Sequence, residues 1–158
     1  VAVPAADAAA PANVAAPAPA NIPRTQALAV HLGCPYEEIE EIVNHDGHYY
    51  EHEDDEYIVL TEEEAHARVR DDIRDIMWGF NAGFVAGHCP VYITVEHIQQ
   101  IQMGLEAVND VVFALVEAGA GFEEFCVDAI DADGRGHFLS GYDGEEHEQD
   151  GWFIYRVG

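Results

Sequence analysis

Histidines and carboxylates are crowded into one short stretch of the chain. His45, His48 and His52 lie within eight residues of one another, among five acidic residues. Neutral imidazole and carboxylate are ligands of zinc and other divalent metals, and His48 and His52 would share one face of an extended strand. Metal sites are usually closed by ligands remote in the sequence, and no such ligand can be identified here. These three histidines are therefore weak metal candidates, with adventitious binding or a solvated hairpin as the alternatives, and we expect no cofactor.

Two further patterns have the residue types of a site but not its spacing. The segment 131–136, DADGRG, resembles the start of a calcium loop, but the fifth and twelfth positions hold Arg135 and Tyr142 instead of oxygen ligands. Ser140, the single serine, is close to His137 without a nucleophile-elbow motif. A phosphate-binding loop, a dinucleotide fingerprint and an HExxH motif are also missing. We therefore expect a protein that is not an enzyme, with no catalytic residue.

The charge balance restricts the class of partner. The chain has 31 acidic residues, six arginines and no lysine, for a net charge of −25. It cannot neutralise a run of phosphates, which excludes direct binding to nucleic acid or to an anionic membrane. We expect the acids to form a face that binds a basic partner. The candidate residues of this face are Glu37, Glu38, Glu40, Glu41, Glu51, Glu53, Asp54, Asp55, Glu56, Glu62, Glu63, Asp143, Glu145, Glu146, Glu148 and Asp150.

The cysteines and the apolar segments predict a cytoplasmic protein. Cys34, Cys89 and Cys126 are odd in number and widely spaced, which favours free thiols in a reducing compartment. No secretory signal is recognisable at the start of the sequence. Residues 76–95 lack charged side chains, but Gly87 and Pro90 interrupt them, so we expect a buried helix that ends in a turn.

The first half of the chain divides into an arm and a folded body. Residues 1–23 are rich in alanine and proline and predict an extended arm, whereas residues 24–158 predict a single acidic domain. A helix over residues 25–32 should end at Gly33, and a second short helix should follow Pro35 with Ile39, Ile42 and Val43 as its apolar stripe. Residues 47–60 predict a β-hairpin with its turn at residues 53–55.

The sequence of the second half of the chain predicts several helices followed by two strands. A capping box of Thr61 and Glu64 should start a long helix, with Arg68, Arg70 and Arg74 in local ion pairs. A second long helix should begin at Thr94, carry its apolar side to Leu115 and end at residues 119–121, GAG. A shorter helix should follow over residues 122–130, and strands at 137–139 and 152–157. The prediction is an α+β fold, in which two long helices and several shorter ones form a bundle packed on a small, mostly antiparallel sheet. The expected core includes Val69, Ile73, Met77, Phe80, Phe84, Ile98, Leu105, Val112, Phe125, Phe138 and Phe153.

Several phrases of the sequence resemble a known group of proteins. They are WGFNAGF at residues 78–84, DGRGHFLSGYDGEE at residues 133–146 and FIYRVG at residues 153–158. In these phrases the chain resembles small, acidic bacteriophage proteins of unknown function, over roughly residues 26–158. The resemblance implies a phage origin and no catalytic residue.

Charge and resemblance together give the expected function. The leading hypothesis is a phage accessory protein in the host cytoplasm, whose carboxylates imitate DNA phosphates and inhibit a host restriction enzyme, CRISPR nuclease or polymerase. Duplex DNA carries about one charge per 1.7 Å of axis, which a strongly acidic small domain can approach. The alternative is a structural virion component, capsid-associated or decorating, anchored by the N-terminal arm. A salt-adapted proteome would also give an excess of acids, without implying any function.

Overall fold

The structure, a computed structural model, describes residues 23–44 and 47–158, without the side chains of Asn44 and His48. The predicted arm, apart from Pro23, and the candidate ligand His45 lie outside the described residues. The chain divides into two compact units. The sheet unit comprises the described residues up to Ala67 together with Leu139–Gly158, and the helical unit comprises Arg68–Phe138. The predicted α+β class is confirmed.

The sheet unit contains a five-stranded antiparallel sheet with strand order β1-β2-β3-β5-β4. One α-helix and a short 3-10 turn precede the sheet. The elements are α1 (Arg24–Leu32), a 3-10 turn (Tyr36–Glu38), β1 (Glu40–Asn44), β2 (Gly47–His52), β3 (Asp55–Leu60), β4 (His147–Gln149) and β5 (Trp152–Arg156). Strands β1 and β4 form the two edges of this sheet.

Helix α1 ends as its sequence predicts. Gly33 takes a left-handed conformation with φ 72°, and its amide donates to Ala29 O at 2.8 Å. The amide of Cys34 donates to the same carbonyl at 3.1 Å, so the chain leaves the helix in a tight Schellman-type turn. Helix α1 buries Leu28 against Tyr50 and neighbouring residues of the sheet, and this cluster is the core of the sheet unit.

The hairpin prediction is confirmed, whereas the helix predicted after Pro35 is wrong. Only a 3-10 turn follows Pro35, and Ile42 and Val43 belong to β1. An apolar pattern of so few residues fits both a helix and a strand, and pairing with β2 decides between them. Val43, predicted to be in the helix stripe, is 66% exposed.

The capping box that begins the next helix is confirmed. The Thr61 amide donates to Glu64 Oε2 at 3.0 Å, and the Glu64 amide donates to Thr61 Oγ1 at 3.1 Å. The helix that follows, α2, runs over Glu62–Ile76 and buries Val69 and Ile73. Both residues were expected in the core, and the core prediction is confirmed at these two positions.

Short helices make up the rest of the helical unit. They are a 3-10 turn (Met77–Gly79), α3 (Ala82–His88), α4 (Val95–Gln102), a second 3-10 turn (Leu105–Val108), α5 (Asn109–Ala118), α6 (Phe122–Asp133) and α7 (Arg135–Leu139). The single long helix predicted from Thr94 is therefore wrong. Leu105 takes a left-handed φ of 55° directly after Gly104 and is 62% exposed, so it also lies outside the core in which it was predicted.

Two other predictions about the helical part are wrong. Residues 137–139 belong to α7 and not to a strand, and the ring of Phe138 lies 6.3 Å from that of Phe80. The ion pairs of Arg70 and Arg74 are not local. Arg70 pairs with Glu123, and Arg74 pairs with Asp110 at 2.8 Å, so both arginines connect α2 to helices that follow much later in the chain.

A buried histidine connects α3 with α6. His88 Nδ1 lies 2.8 Å from Phe84 O, and His88 Nε2 lies 2.7 Å from Asp128 Oδ2. Both ring nitrogens therefore face oxygen acceptors of the protein, and the rings of Phe84 and Phe125 lie against the imidazole, at 4.6 and 5.1 Å. Since neither nitrogen is open to a substrate, we interpret this pair as structural rather than catalytic.

Candidate functional site: an acidic surface on the sheet unit

The sheet unit contains every residue of the predicted acidic face. The sixteen candidates come from four places: the 3-10 turn with β1, the β2–β3 hairpin, the first turn of α2, and the segment that leads to β5. Among the described residues, the sheet unit holds 17 acidic residues and two arginines, and the helical unit holds 12 acidic residues and four arginines. The predicted acids are thus collected on one of the two units, although they are far apart in the sequence.

The strand register aligns three glutamates across the sheet. Glu40 on β1 is paired with Glu51 on β2, and Glu51 is paired with Glu56 on β3. Residues paired in this way project from the same face of a sheet. Because adjacent strands are about 4.8 Å apart, the three carboxylates follow a line of about 10 Å. We call Glu40, Glu51 and Glu56 the glutamate row.

The glutamate row has no ion-pair partner among the described residues. Like charges placed directly opposite each other destabilise a sheet. Glu40 is exposed, and the other two are half-buried. Packing and the hairpin turn therefore hold together a row of charges that repel one another, which is an arrangement suited to a cationic partner.

The two arginines of the sheet unit are already engaged. Arg24 forms a bidentate pair with Glu64, donates to Val59 O at 2.9 Å and lies over the ring of Trp152. Arg156 pairs with Asp55 and lies over the ring of Tyr142, 3.5 Å from its centre. Glu64 and Asp55 are thus neutralised locally. Asp55, one of the acids predicted for the partner-binding face, therefore also has a structural contact within the fold.

The segment before β5 also uses some of its acids to fold. Ser140 Oγ lies 2.7 Å from Asp143 Oδ1 and 2.6 Å from Arg156 O, and the Glu145 amide donates to Asp143 Oδ1 at 2.9 Å. The hydrogen bond from Ser140 lowers the pKa of Asp143 below its usual value. These contacts assign Ser140 and Asp143 to the turn. The exposed acids Glu145 and Glu148 complete the surface.

An open groove lies next to the acidic part of β1. It has a volume of about 610 Å³, and its lining includes Tyr36, Glu37, Ile39 and Glu41. Tyr36 is exposed. An aromatic ring next to carboxylates is a suitable environment for an arginine or lysine side chain, through cation–π and charge–charge attraction. Glu41 follows Glu40 directly in β1 and therefore projects from the opposite face of the sheet, so this groove is separate from the glutamate row.

Burial shifts the pKa of a tyrosine of β2. The pKa of Tyr50 is raised to about 12, chiefly by burial and next by the negative charge of Glu41. The charge of Arg24 acts in the opposite direction. Tyr50 is therefore neutral at physiological pH and serves as a packing residue of the sheet.

The metal-ligand candidates are only partly brought together. His45 is outside the described residues, and the side chain of His48 is not described. His52 lies beside two residues that the sequence did not suggest as ligands, Cys34 and Glu38. The four-residue spacing of Cys34 and Glu38 was visible in the sequence, but their proximity to His52 depends on how β2 pairs and could not be read from it.

Comparison with known proteins gives no relative. No family model, no curated protein and no solved structure matches the chain. Among the described residues, no helix combines the length and the apolar character that a membrane crossing requires.

Proposed function

We propose that this protein acts by binding, and that the acidic surface of its sheet unit takes the place of DNA on a basic, DNA-binding protein. The observation that carries the proposal is the glutamate row, three aligned carboxylates without an ion-pair partner among the described residues. Its spacing of about 4.8 Å per charge approaches that of one DNA strand, which carries one phosphate per about 3.4 Å of axis.

Charge and resemblance suggest the class of partner. A surface with this charge attracts proteins whose own surface is adapted to phosphates. The resemblance to phage proteins makes a host restriction enzyme, CRISPR nuclease or polymerase the partner class, and the host cytoplasm the place of action.

The test is competition with DNA. The protein is added to purified enzymes of the three classes, and inhibition is measured with increasing duplex DNA and at low and high salt. The triple variant Glu40→Gln, Glu51→Gln, Glu56→Gln should lose inhibition, because it removes the aligned charges while keeping the side-chain size.

A matched variant controls for net charge. Glu96→Gln, Glu106→Gln and Glu124→Gln remove the same number of charges from exposed positions in the helical unit, and this variant should inhibit almost as well as the wild type. If the enzymes are not inhibited, or if saturating DNA leaves binding of the protein unchanged, mimicry is wrong. A structural role in the virion then becomes the leading hypothesis.

A further inference from the structure

Three potential metal ligands meet at one end of the sheet unit. Cys34 follows the last turn of α1, Glu38 ends the 3-10 turn, and His52 is the last residue of β2. The ligand atoms of these residues all lie within 4.8 Å of one another. Three separate elements therefore contribute one ligand each, as is usual in a built metal site and unusual in a chance contact between neighbours in the sequence.

The local backbone holds these ligands in place. The left-handed Gly33 and the hydrogen bond from the Cys34 amide to Ala29 O determine how the chain leaves α1. Pro35 starts the 3-10 turn, and the Glu38 amide donates to Pro35 O at 3.1 Å. These contacts keep Cys34 and Glu38 on the same side of a short, ordered turn, beside the end of β2.

The distances suit a tetrahedral ion. His52 Nε2 lies 3.5 Å from Glu38 Oε2. With bonds of about 2.0–2.2 Å to nitrogen and oxygen, a tetrahedral zinc ion places such ligands about 3.4 Å apart. A zinc-bound thiolate lies about 3.5 Å from its neighbouring ligands by the same geometry, so small side-chain rotations of Cys34 would complete the set.

The charges at this place also favour a cation. Glu38 and Glu53 both lie close enough to Cys34 for their negative charges to act on its sulfur. Glu53 itself takes a left-handed φ of 57° in the hairpin turn, a conformation that costs energy in a residue with a side chain. A divalent cation is attracted by all of these groups.

We propose that Cys34, Glu38 and His52 bind one zinc ion, with the fourth position occupied by water. A thiolate, an imidazole and a carboxylate together match the ligand preference of zinc better than that of magnesium or calcium. The ion connects the end of α1 to the tip of the β2–β3 hairpin. This inference does not depend on the proposed function, because the glutamate row is not among the ligands.

Cobalt(II) provides the direct test, since it replaces zinc and reports its ligands. The reduced full-length protein is titrated with cobalt(II), and absorbance is recorded. We expect one equivalent to give a thiolate-to-cobalt charge-transfer band and the visible bands of a tetrahedral ion, both abolished by one equivalent of zinc. The melting temperature should also rise with zinc, since the ion binds the folded state.

Variants assign the ligands. Cys34→Ser should remove the charge-transfer band, and Glu38→Gln and His52→Gln should each weaken zinc binding at least tenfold. The controls Cys89→Ala and His66→Gln, which change a thiol and an exposed histidine of the rest of the chain, should leave both signals unchanged. Circular dichroism of the metal-free variants verifies that they are folded.

Three results would overturn the site. The first is the absence of a charge-transfer band in the reduced wild-type protein. The second is a band that persists in Cys34→Ser, and the third is a band that is lost when His45 and His48 are replaced while Glu38→Gln has no effect. Either of these last results would place the ion elsewhere on the chain.

Discussion

At the scale of single residues, the structure separates acids that stabilise the fold from acids that are available to a partner. Asp55, Glu64 and Asp143 were equivalent to their neighbours in the sequence, but each has a specific contact: an arginine for the first two and a serine hydroxyl for the third. The sequence shows that acids are abundant. It cannot show which of them are neutralised, because Arg156 is 101 positions from Asp55.

The ion pair of Asp55 leads to a prediction about stability. Asp55→Asn should lower the free energy of unfolding by about 1 kcal/mol or more, because it removes a charged partner from the partly buried Arg156. Asp54→Asn, one position earlier in the exposed turn, should change it by less than about 0.5 kcal/mol. Urea unfolding of the two variants measures the difference, and equal effects would contradict the structural role of Asp55.

The raised pKa of Tyr50 leads to a prediction about the stability of the protein at alkaline pH. A tyrosine of an unfolded chain has a pKa of about 10, whereas burial raises the pKa of Tyr50 to about 12. The folded state thus favours the neutral phenol of Tyr50. The stability that this preference gives is fully present below pH 10 and is lost as the pH rises through 12. The free energy of unfolding should fall over this range.

Absorbance of tyrosinate measures the same effect directly. Tyr50→Phe should remove a component of the wild-type curve that titrates near pH 12. The matched control is Tyr92→Phe, which removes a hydroxyl from an exposed tyrosine. If Tyr50→Phe leaves the late part of the curve intact, the phenol is not held neutral by burial.

At the scale of elements, the sequence was sufficient where the signal is local. Helix α1 with its Gly33 end, the capping box of Thr61 and Glu64, and the β2–β3 hairpin depend on nearby residues, and all were predicted. Prediction failed where distant contacts decide, as at Ile42 and Val43, which pairing with β2 places in a strand. It also failed at a local break that the apolar spacing obscured. The apolar residues from Val95 to Leu115 keep a helical spacing, yet the chain breaks at Gly104, a poor helix former, and Leu105 takes a left-handed conformation.

The candidate site shows the same division. The sequence identified the acids that form the surface, since charge is a property of composition. The alignment of Glu40, Glu51 and Glu56 depends on strand register, and one shifted residue would place Glu51 on the opposite face. The proximity of His52 to Cys34 also depends on that register, so neither arrangement could be predicted from residue types alone.

A glycine of the helical unit shows how closely its elements approach. A Cβ at Gly119 would overlap the carbonyl oxygen of His88 and lie 2.6 Å from the carbonyl carbon of Cys89. The Ala120 amide donates to His88 O at 2.8 Å, so this approach is also a hydrogen-bonded one. Gly119→Ala should therefore cost about 2 kcal/mol or more, since backbone must move to accommodate the methyl group.

Gly87 provides the matched control for this prediction. It lies in α3, and a Cβ there would meet nothing within 4 Å. Gly87→Ala should therefore stabilise the protein by about 0.5–1 kcal/mol through its better helix propensity. Thermal unfolding of the two variants should show shifts of opposite sign. A stabilised Gly119→Ala variant would show that the contact with His88 is not as close as the structure describes.

At the scale of the whole molecule, the net charge of −25 opposes folding and favours association with a cation-rich partner. Salt screens both effects over a distance of about 10 Å at 0.1 M. The free protein should therefore become more stable as salt increases, because repulsion between its acids weakens. Binding to a basic partner should become weaker over the same range, because the attraction that drives association is screened.

The glutamate row connects these two effects in one variant. Replacing Glu40, Glu51 and Glu56 with glutamine removes two like-charge pairs across neighbouring strands, and each pair costs a sheet about 0.2–1 kcal/mol. The variant should therefore unfold at higher urea concentration than the wild type, with a smaller increase of stability when salt is added. The same substitutions should slow association with the partner. A triple variant that is less stable at low salt would show that these carboxylates support the sheet, and the row would then be structural rather than a surface reserved for binding.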